Sequence, residues 1–201
     1  MERVKFGVFG GTFDPPHNGH LALARAARRA LGLDAVLWVL TPMPPHKPDR
    51  EFAPLADRLA MVQAIVGREP AFLLSRVDID RPPPHFAVDT MHLLRQQNPE
   101  AELIYLMGED SLRDLPFWHR PKEFLSVCDA LGVMRRPGVQ VDLTALERVL
   151  PGVGAKIRWV EAPLCALASS EIRRRIQRGE SVEAYLPPPV LEIVERRRLY
   201  R

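Results

Sequence analysis

Short apolar runs, separated by segments of helical period, leave this chain few folds to choose from. Six such runs lie at Val4–Phe9, Ala35–Leu40, Phe72–Val77, Leu103–Met107, Ala130–Met134 and Ile157–Val160. The second, AVLWVL, has no polar position. A strand with one wet face would alternate, so this run predicts a strand covered on both sides. Helical patterns stand between the runs, over Asn18–Leu31, Leu55–Val66, Val88–Gln97 and Thr144–Leu150. Together they predict an α/β fold: a Rossmann-like parallel sheet flanked by helices and joined by right-handed crossovers. The 201 residues, 46% of them hydrophobic, suffice for the core of one domain, 1–201, with a C-terminal helical part from about residue 168. Pro187–Pro189 predict the start of a last helix that turns Leu191 and Val194 inward and leaves its arginines in water.

Composition narrows the function classes. No apolar run approaches the length of a membrane span. The N-terminus enters its first strand without the organisation of a secretory signal, which predicts a cytoplasmic protein. A net charge of +3 suits an anionic small ligand as readily as nucleic acid. The basic tail Arg196–Arg198 has no aromatic near it beyond Tyr200, and reads as a solvated helix end with no nucleic-acid partner. The 24 arginines against 4 lysines have no bearing on a reaction. Cys128 and Cys165 lack metal-ligand spacing and read as buried thiols. The six histidines show no zinc spacing either, so no metal site is assigned. Pro-Pro-His occurs three times, ending at His17, His46 and His85, but the flanks differ and predict three separate loops.

The segment FGVFGGTFDPPHNGHLALARAARRAL, Phe6 to Leu31, carries the strongest chemical signal. In an open parallel sheet, ligands bind at the carboxyl ends of strands, where this loop would lie. A helix starting near Asn18 offers unpaired N–H groups and the positive end of its dipole, both suited to phosphate. Gly10 and Gly11 would let the backbone approach a ligand closely, and Gly19 would keep the space between the histidines open. His17 and His20, three residues apart, share one side of the first turn. A protonated histidine is disfavoured there unless an anion compensates it, so the pair reads as phosphate donors. The competing reading is that His20 packs and His17 caps the turn. The loop is neither a Walker A sequence nor G-x-G-x-x-G.

As GGTFDPPHNGH, these residues resemble the H-x-G-H loop of the nucleotidylyltransferase superfamily, and the longer string resembles the bacterial nicotinate-nucleotide adenylyltransferases. A second segment, ASSEIRRRI from Ala168 to Ile176, is similar to the I-S-S-T-x-I-R motif with which that superfamily holds the ATP phosphates. Ser169 or Ser170 can cap a helix and Glu171 suits its first turn, whereas Arg173, Arg174 and Arg175 place cations at the wrong end of the dipole. A bound anion would resolve that conflict. An ordinary solvated basic face is the alternative, and it fits Arg174 and Arg178 better than Arg173.

The resemblance implies further site residues. Gly10, Gly11, Thr12 and Phe13, with His17 and His20, would line ATP, and Ser169, Ser170 and Arg173 would touch its triphosphate. Lys47, in PPHK after the second strand, would be a phosphate ligand. In MGEDSLRDLPFWHRPKEF, Gly108 and Asp110 would lie at the ATP side and Trp118 on the pyridine ring, with His119 beside it. Asp110 as an N-cap and Trp118 as core are the alternatives. Arg135, in VMRRPG, would border the adenine. Where the family has Ser-Tyr-Thr before Val-Asp-Thr, this chain has His85, Phe86 and Ala87, so a contact to the nicotinate side at Ala87 would use backbone alone. That leaves acid against amide open.

The implied reaction is attack of the nicotinate mononucleotide phosphate on the α-phosphorus of ATP, releasing pyrophosphate and forming nicotinate adenine dinucleotide. It needs no protein nucleophile, only positioning and charge stabilisation, with His17, His20, Lys47 and Arg173 as the catalytic set. Mg²⁺ is expected on the ATP phosphates, and a homo-oligomer is compatible with the sequence. Rivals are adenylyl transfer to nicotinamide mononucleotide or phosphopantetheine, and a non-catalytic nucleotide-binding regulator.

Overall fold

The computed structural model describes residues 3–44, 51–135, 138–161 and 168–201. Strands β1 (Lys5–Gly11), β2 (Ala35–Leu40), β3 (Phe72–Ser75), β4 (Glu102–Gly108), β5 (Ala130–Met134) and β6 (Ile157–Val160) form one sheet. Its order is β3-β2-β1-β4-β5-β6 and every pairing is parallel. The helices are α1 (Asn18–Leu31), α2 (Leu55–Val66), α3 (Ala87–Gln97), α4 (Glu109–Asp114), α5 (Pro121–Val127), α6 (Leu143–Val149), α7 (Val153–Lys156), α8 (Ser169–Gln177) and α9 (Pro188–Arg196).

β2 shows why the sheet is covered on both faces. Val36, Trp38 and Leu40 pack in one apolar layer with residues of α1, α2, α8 and α9, while Leu37 and Val39 pack in the other with α3, α4 and α5. The first layer holds Trp38 with Phe9, Met61, Ile172 and Val190; the second holds Leu103 and Tyr105 with Met91, Leu112 and Phe124. The residues after 168 therefore pack into the same layer as α1. Helix α1 buries only alanines, Ala24, Ala26 and Ala27, and ends at Gly32, whose φ of 62° is left-handed and whose N–H returns to the Arg28 carbonyl.

The sheet parts where the strand order reverses. β1 and β4 pair from Lys5 with Glu102 to Val8 with Tyr105. Beyond that point Phe9–Gly11 stay on β2 and Leu106–Gly108 on β5, so a crevice opens between the carboxyl ends of the two central strands.

Several expectations are corrected. β1 does not stop at Phe9: Gly10 and Gly11 pair with Val39 and Leu40, because a buried parallel partner overrides the poor strand propensity of glycine. β3 ends at Ser75, and the chain enters a turn at Val77. The short helices α4, α5 and α7 carry too few turns to show a period. In α9, Val190, Ile193 and Val194 are buried and Leu191 half-buried, but the arginines are not all left to water, since Arg197 pairs with Asp57 of α2. Cys128 is buried, which pushes its thiol well above the usual range; Cys165 lies outside the described residues. No helix among the described residues is long and apolar enough to cross a membrane.

Leu103 is fully buried, at 0% exposure, so Leu103→Ala is expected to cost about 2–5 kcal/mol of unfolding free energy in a urea titration. Val149, 52% exposed, should tolerate alanine to within about 0.5 kcal/mol in the same measurement.

Candidate active site

A helix N-terminus leaves N–H groups that need acceptors, and at α1 the two histidines supply them. His17 is the N-cap, with extended backbone, and its Nδ1 accepts from the Gly19 N–H at 3.2 Å. Three residues on, His20 Nδ1 accepts from the His17 N–H at 3.1 Å, which completes a reciprocal capping box built from imidazoles. The ring centroids lie 3.7 Å apart. A ring that accepts at Nδ1 in its neutral form carries its proton on Nε2. With Nδ1 accepting in the cap, the proton that each ring can donate is the one on Nε2. Capping and donation are compatible, because they use different nitrogens.

The loop before them is pinned on every side. Phe13 adopts a φ of 46°, a left-handed conformation that costs a non-glycine residue about 1–3 kcal/mol. Its buried ring is held by Phe9, Trp38 and His20, with centroids at 5.4, 5.0 and 5.3 Å. A Cβ on Gly11 would come within 3.1 Å of that ring, and one on Gly10 within 3.1 Å of the Tyr105 hydroxyl. Both glycines thus make room for the protein's own aromatic side chains. Asp14, 1% exposed, precedes Pro15 through a cis peptide bond. Its Oδ1 accepts from the Ala53 N–H at 3.1 Å and from the Tyr200 hydroxyl at 2.9 Å. Burial and the Asp14 carboxylate push the Tyr200 phenol up, so it stays a neutral donor.

Helix α8 docks on this loop. The Ser169 hydroxyl donates to the Pro15 carbonyl at 3.0 Å, and Arg173 Nη1 donates to the Asp14 carbonyl at 2.7 Å while lying 3.5 Å from Asp14 Oδ2. Neither serine caps the helix: Ala168 is the N-cap and no side chain bonds there, because the Ser169 hydroxyl is engaged across the chain instead. Arg173 is largely buried and meets Asp14, which answers part of the charge conflict within the protein. Arg174 pairs with Glu171, and Arg175 with Glu171 and Glu180, as an ion-paired outer face.

The second group of residues lies around α3 and α4. Trp118 is half-buried against Phe124 and Tyr105, with centroids at 5.2 and 6.0 Å, so it is partly core while keeping an accessible part. Tyr105 thereby links Trp118 to Gly10. His119 is exposed and stacks on Phe86 at 3.9 Å and 21°. Ala87 is the first residue of α3, which has no side-chain cap. Gly108 is the N-cap of α4 and Asp110 sits in its first turn, so the N-cap alternative for Asp110 does not hold. Arg135 is exposed, 4.2 Å over the Trp159 ring and 3.2 Å from Glu161. Lys47 lies outside the described residues.

The profile of the cytidylyltransferase-like family matches residues 8–175. A protein described as a probable nicotinate-nucleotide adenylyltransferase from Thermomicrobium roseum is 43% identical over 197 residues, covering 98% of this chain and 92% of the relative. A second, of the same description, from Gloeobacter violaceus is 40% identical over 201 residues, covering 98% and 96%. The chain belongs to this family. The fold is also that of a Plasmodium falciparum nicotinic acid mononucleotide adenylyltransferase complexed with NaAD, with a TM-score of 0.80 at 16% identity over 98% of both chains.

Within this adenylyltransferase frame, the departure HFAVDT has a structural account. The buried His85 ring lies 3.1 Å from the Met43 carbonyl and 3.3 Å from that of Arg81, joining the loop after β2 to the loop before α3. The Thr90 hydroxyl donates to buried Asp78 at 2.7 Å, which also receives Arg81. Arg81 in turn donates to the carbonyls of Pro84 and Phe86. Sequence reading missed Asp78, Tyr200 and Arg58. Arg58 alone carried a signal, as a cation on the stripe of Leu55, Met61, Val62 and Ile65 that α2 turns inward.

Removing the cap acceptor with His17→Ala is expected to cost about 0.5–2 kcal/mol in urea unfolding, whereas His17→Asn, which can accept from the same N–H, should remain within about 0.5 kcal/mol of the parent.

Proposed function

We infer that this protein transfers the adenylyl group of ATP to nicotinate mononucleotide, forming nicotinate adenine dinucleotide and pyrophosphate in NAD biosynthesis. The observation that carries this reading is the docking of Ser169 and Arg173 on the loop that ends in His17 and His20. Two segments with phosphate-binding character, far apart in sequence, meet at the carboxyl end of β1.

In the transfer, an oxygen of the mononucleotide phosphate forms a bond to the α-phosphorus as the bond to the bridging oxygen of pyrophosphate breaks. The attacking oxygen is already anionic, so no general base is required. His17 and His20 offer Nε2–H donors to the oxygens around the α-phosphorus, where charge shifts towards the leaving group. Arg173 and Lys47 hold the β- and γ-phosphates, with Ser169 and Ser170 as hydroxyl contacts. Gly10, Gly11, Thr12, Phe13, Gly108, Asp110 and Arg135 border the rest of ATP. Trp118 presents its indole to the nicotinate ring, a pyridinium suited to stacking and cation–π attraction. His119 and the backbone at Ala87 complete that side.

Among the described residues, no cluster of three or more His, Cys, Asp or Glu is arranged to hold a metal ion. Mg²⁺ enters this reading as part of the substrate, carried on the ATP phosphates. The reaction belongs to the cytoplasm and requires neither a membrane nor a nucleic acid.

Ala87 has no hydroxyl, which favours comparing the amide as a second substrate. Pyrophosphate release with ATP and Mg²⁺, measured for nicotinate mononucleotide, nicotinamide mononucleotide and phosphopantetheine in parallel, is expected to favour the nicotinate substrate. Preference for the amide would move the assignment to nicotinamide mononucleotide, and no turnover with any of the three would favour a regulator. His20→Ala is expected to lower kcat by about 10²–10³-fold. A folded His20→Ala enzyme that turns over at the parent rate would remove the histidine pair from the chemistry.

A further inference from the structure

Arg58 points its guanidinium into the protein, at 3% exposure, from the side of α2 that packs on the sheet. A cation withdrawn from water needs an acceptor for nearly every N–H it carries. Here the acceptors are four backbone carbonyls. Nε donates to Ala53 at 3.0 Å, Nη1 to Thr12 at 3.0 Å and to Thr41 at 3.0 Å, and Nη2 to Pro42 at 2.8 Å. The Phe52 ring lies 5.4 Å from the guanidinium carbon.

Those carbonyls lie at the ends of distinct segments. Thr12 follows β1 and begins the loop that ends at His17. Thr41 and Pro42 follow β2 and lead toward the segment with Lys47. Ala53 precedes α2, and its N–H is held by Asp14 of the first loop. An apolar side chain would fill the same space without the desolvation that a buried cation suffers, so core packing alone gives no reason for arginine. A planar fork that reaches three segments at once does.

We propose that Arg58 is a positioning residue: its guanidinium fixes the separation of the loops leaving β1 and β2, and so sets the Thr12–His17 loop against Thr41 and Pro42 beside the triphosphate site. The proposal rests on the adenylyl-transfer reading, and its test separates the two. Arg58→Lys keeps the charge but gathers its donors on one atom, which cannot span the four carbonyls; Arg58→Met removes both. Each variant is checked for cooperative urea unfolding and assayed for kcat, for both KM values, and for the rise in melting midpoint that ATP with Mg²⁺ produces.

The expected result is two folded variants whose kcat falls by about 10²-fold, as for a small misplacement of reacting groups, with KM for the mononucleotide little changed and the ATP-dependent rise reduced. Lysine should not rescue the loss. Parental kcat and an undiminished ATP rise in either folded variant would overturn the proposal. So would failure of both variants to fold, because Arg58 would then hold the fold rather than the loops. An inactive parent whose ATP rise is lost in both variants would overturn adenylyl transfer and leave the positioning role standing.

Discussion

The carboxylate of Asp14 sits almost wholly out of water at the point where the first loop, the start of α2, helix α8 and the C-terminal segment converge. A charge in such a place is tolerable only if its surroundings are polar and well placed. The Ala53 N–H, the Tyr200 hydroxyl and the Arg173 guanidinium make them so. Each of these groups comes from a segment distant from the loop in sequence. The cost of burying the carboxylate thus becomes a constraint on geometry: Asp14 keeps its partners only if all of those segments are docked.

The same economy governs the histidine pair. The start of α1 demands acceptors, and a serine or asparagine would satisfy it more simply. Imidazoles satisfy it through Nδ1 and thereby orient Nε2, so a structural requirement of the helix fixes the direction of two donors. The strained backbone at Phe13 fits this pattern. It is retained because the ring is packed by Phe9, Trp38 and His20, and that packing holds the loop in a conformation an isolated peptide would leave. Rigidity at this site therefore comes from the aromatic layer behind it as much as from hydrogen bonds.

Much of the architecture was legible because it depends on local signals. The two-faced burial of β2 follows from an unbroken apolar run, and α1 and α2 occupy the spans their periodicity predicts. The segments whose motifs resembled phosphate-binding sequences do meet in space. What escaped reading depends on contacts between distant residues. Ser169 has the sequence context of a cap, yet its hydroxyl serves Pro15. Gly10 and Gly11 lie close to Tyr105 and Phe13, a proximity no local signal announces. His85, standing where the family has a hydroxyl residue, bonds to Met43, 42 residues away. Tyr200, in a basic tail, gave no sign of a buried carboxylate far away.

The bond between Tyr200 and Asp14 joins residues 186 positions apart. At 5–20 residues per second, a ribosome needs roughly 10–40 s to travel between them. During synthesis the glycine-rich loop emerges first and then waits, its carboxylate lacking the phenol that later covers it. The sheet can be largely assembled before that contact exists. Vectorial production of the chain therefore places completion of the loop among the last events, and a nascent chain stalled short of this tyrosine would carry every strand of the sheet without the finished loop.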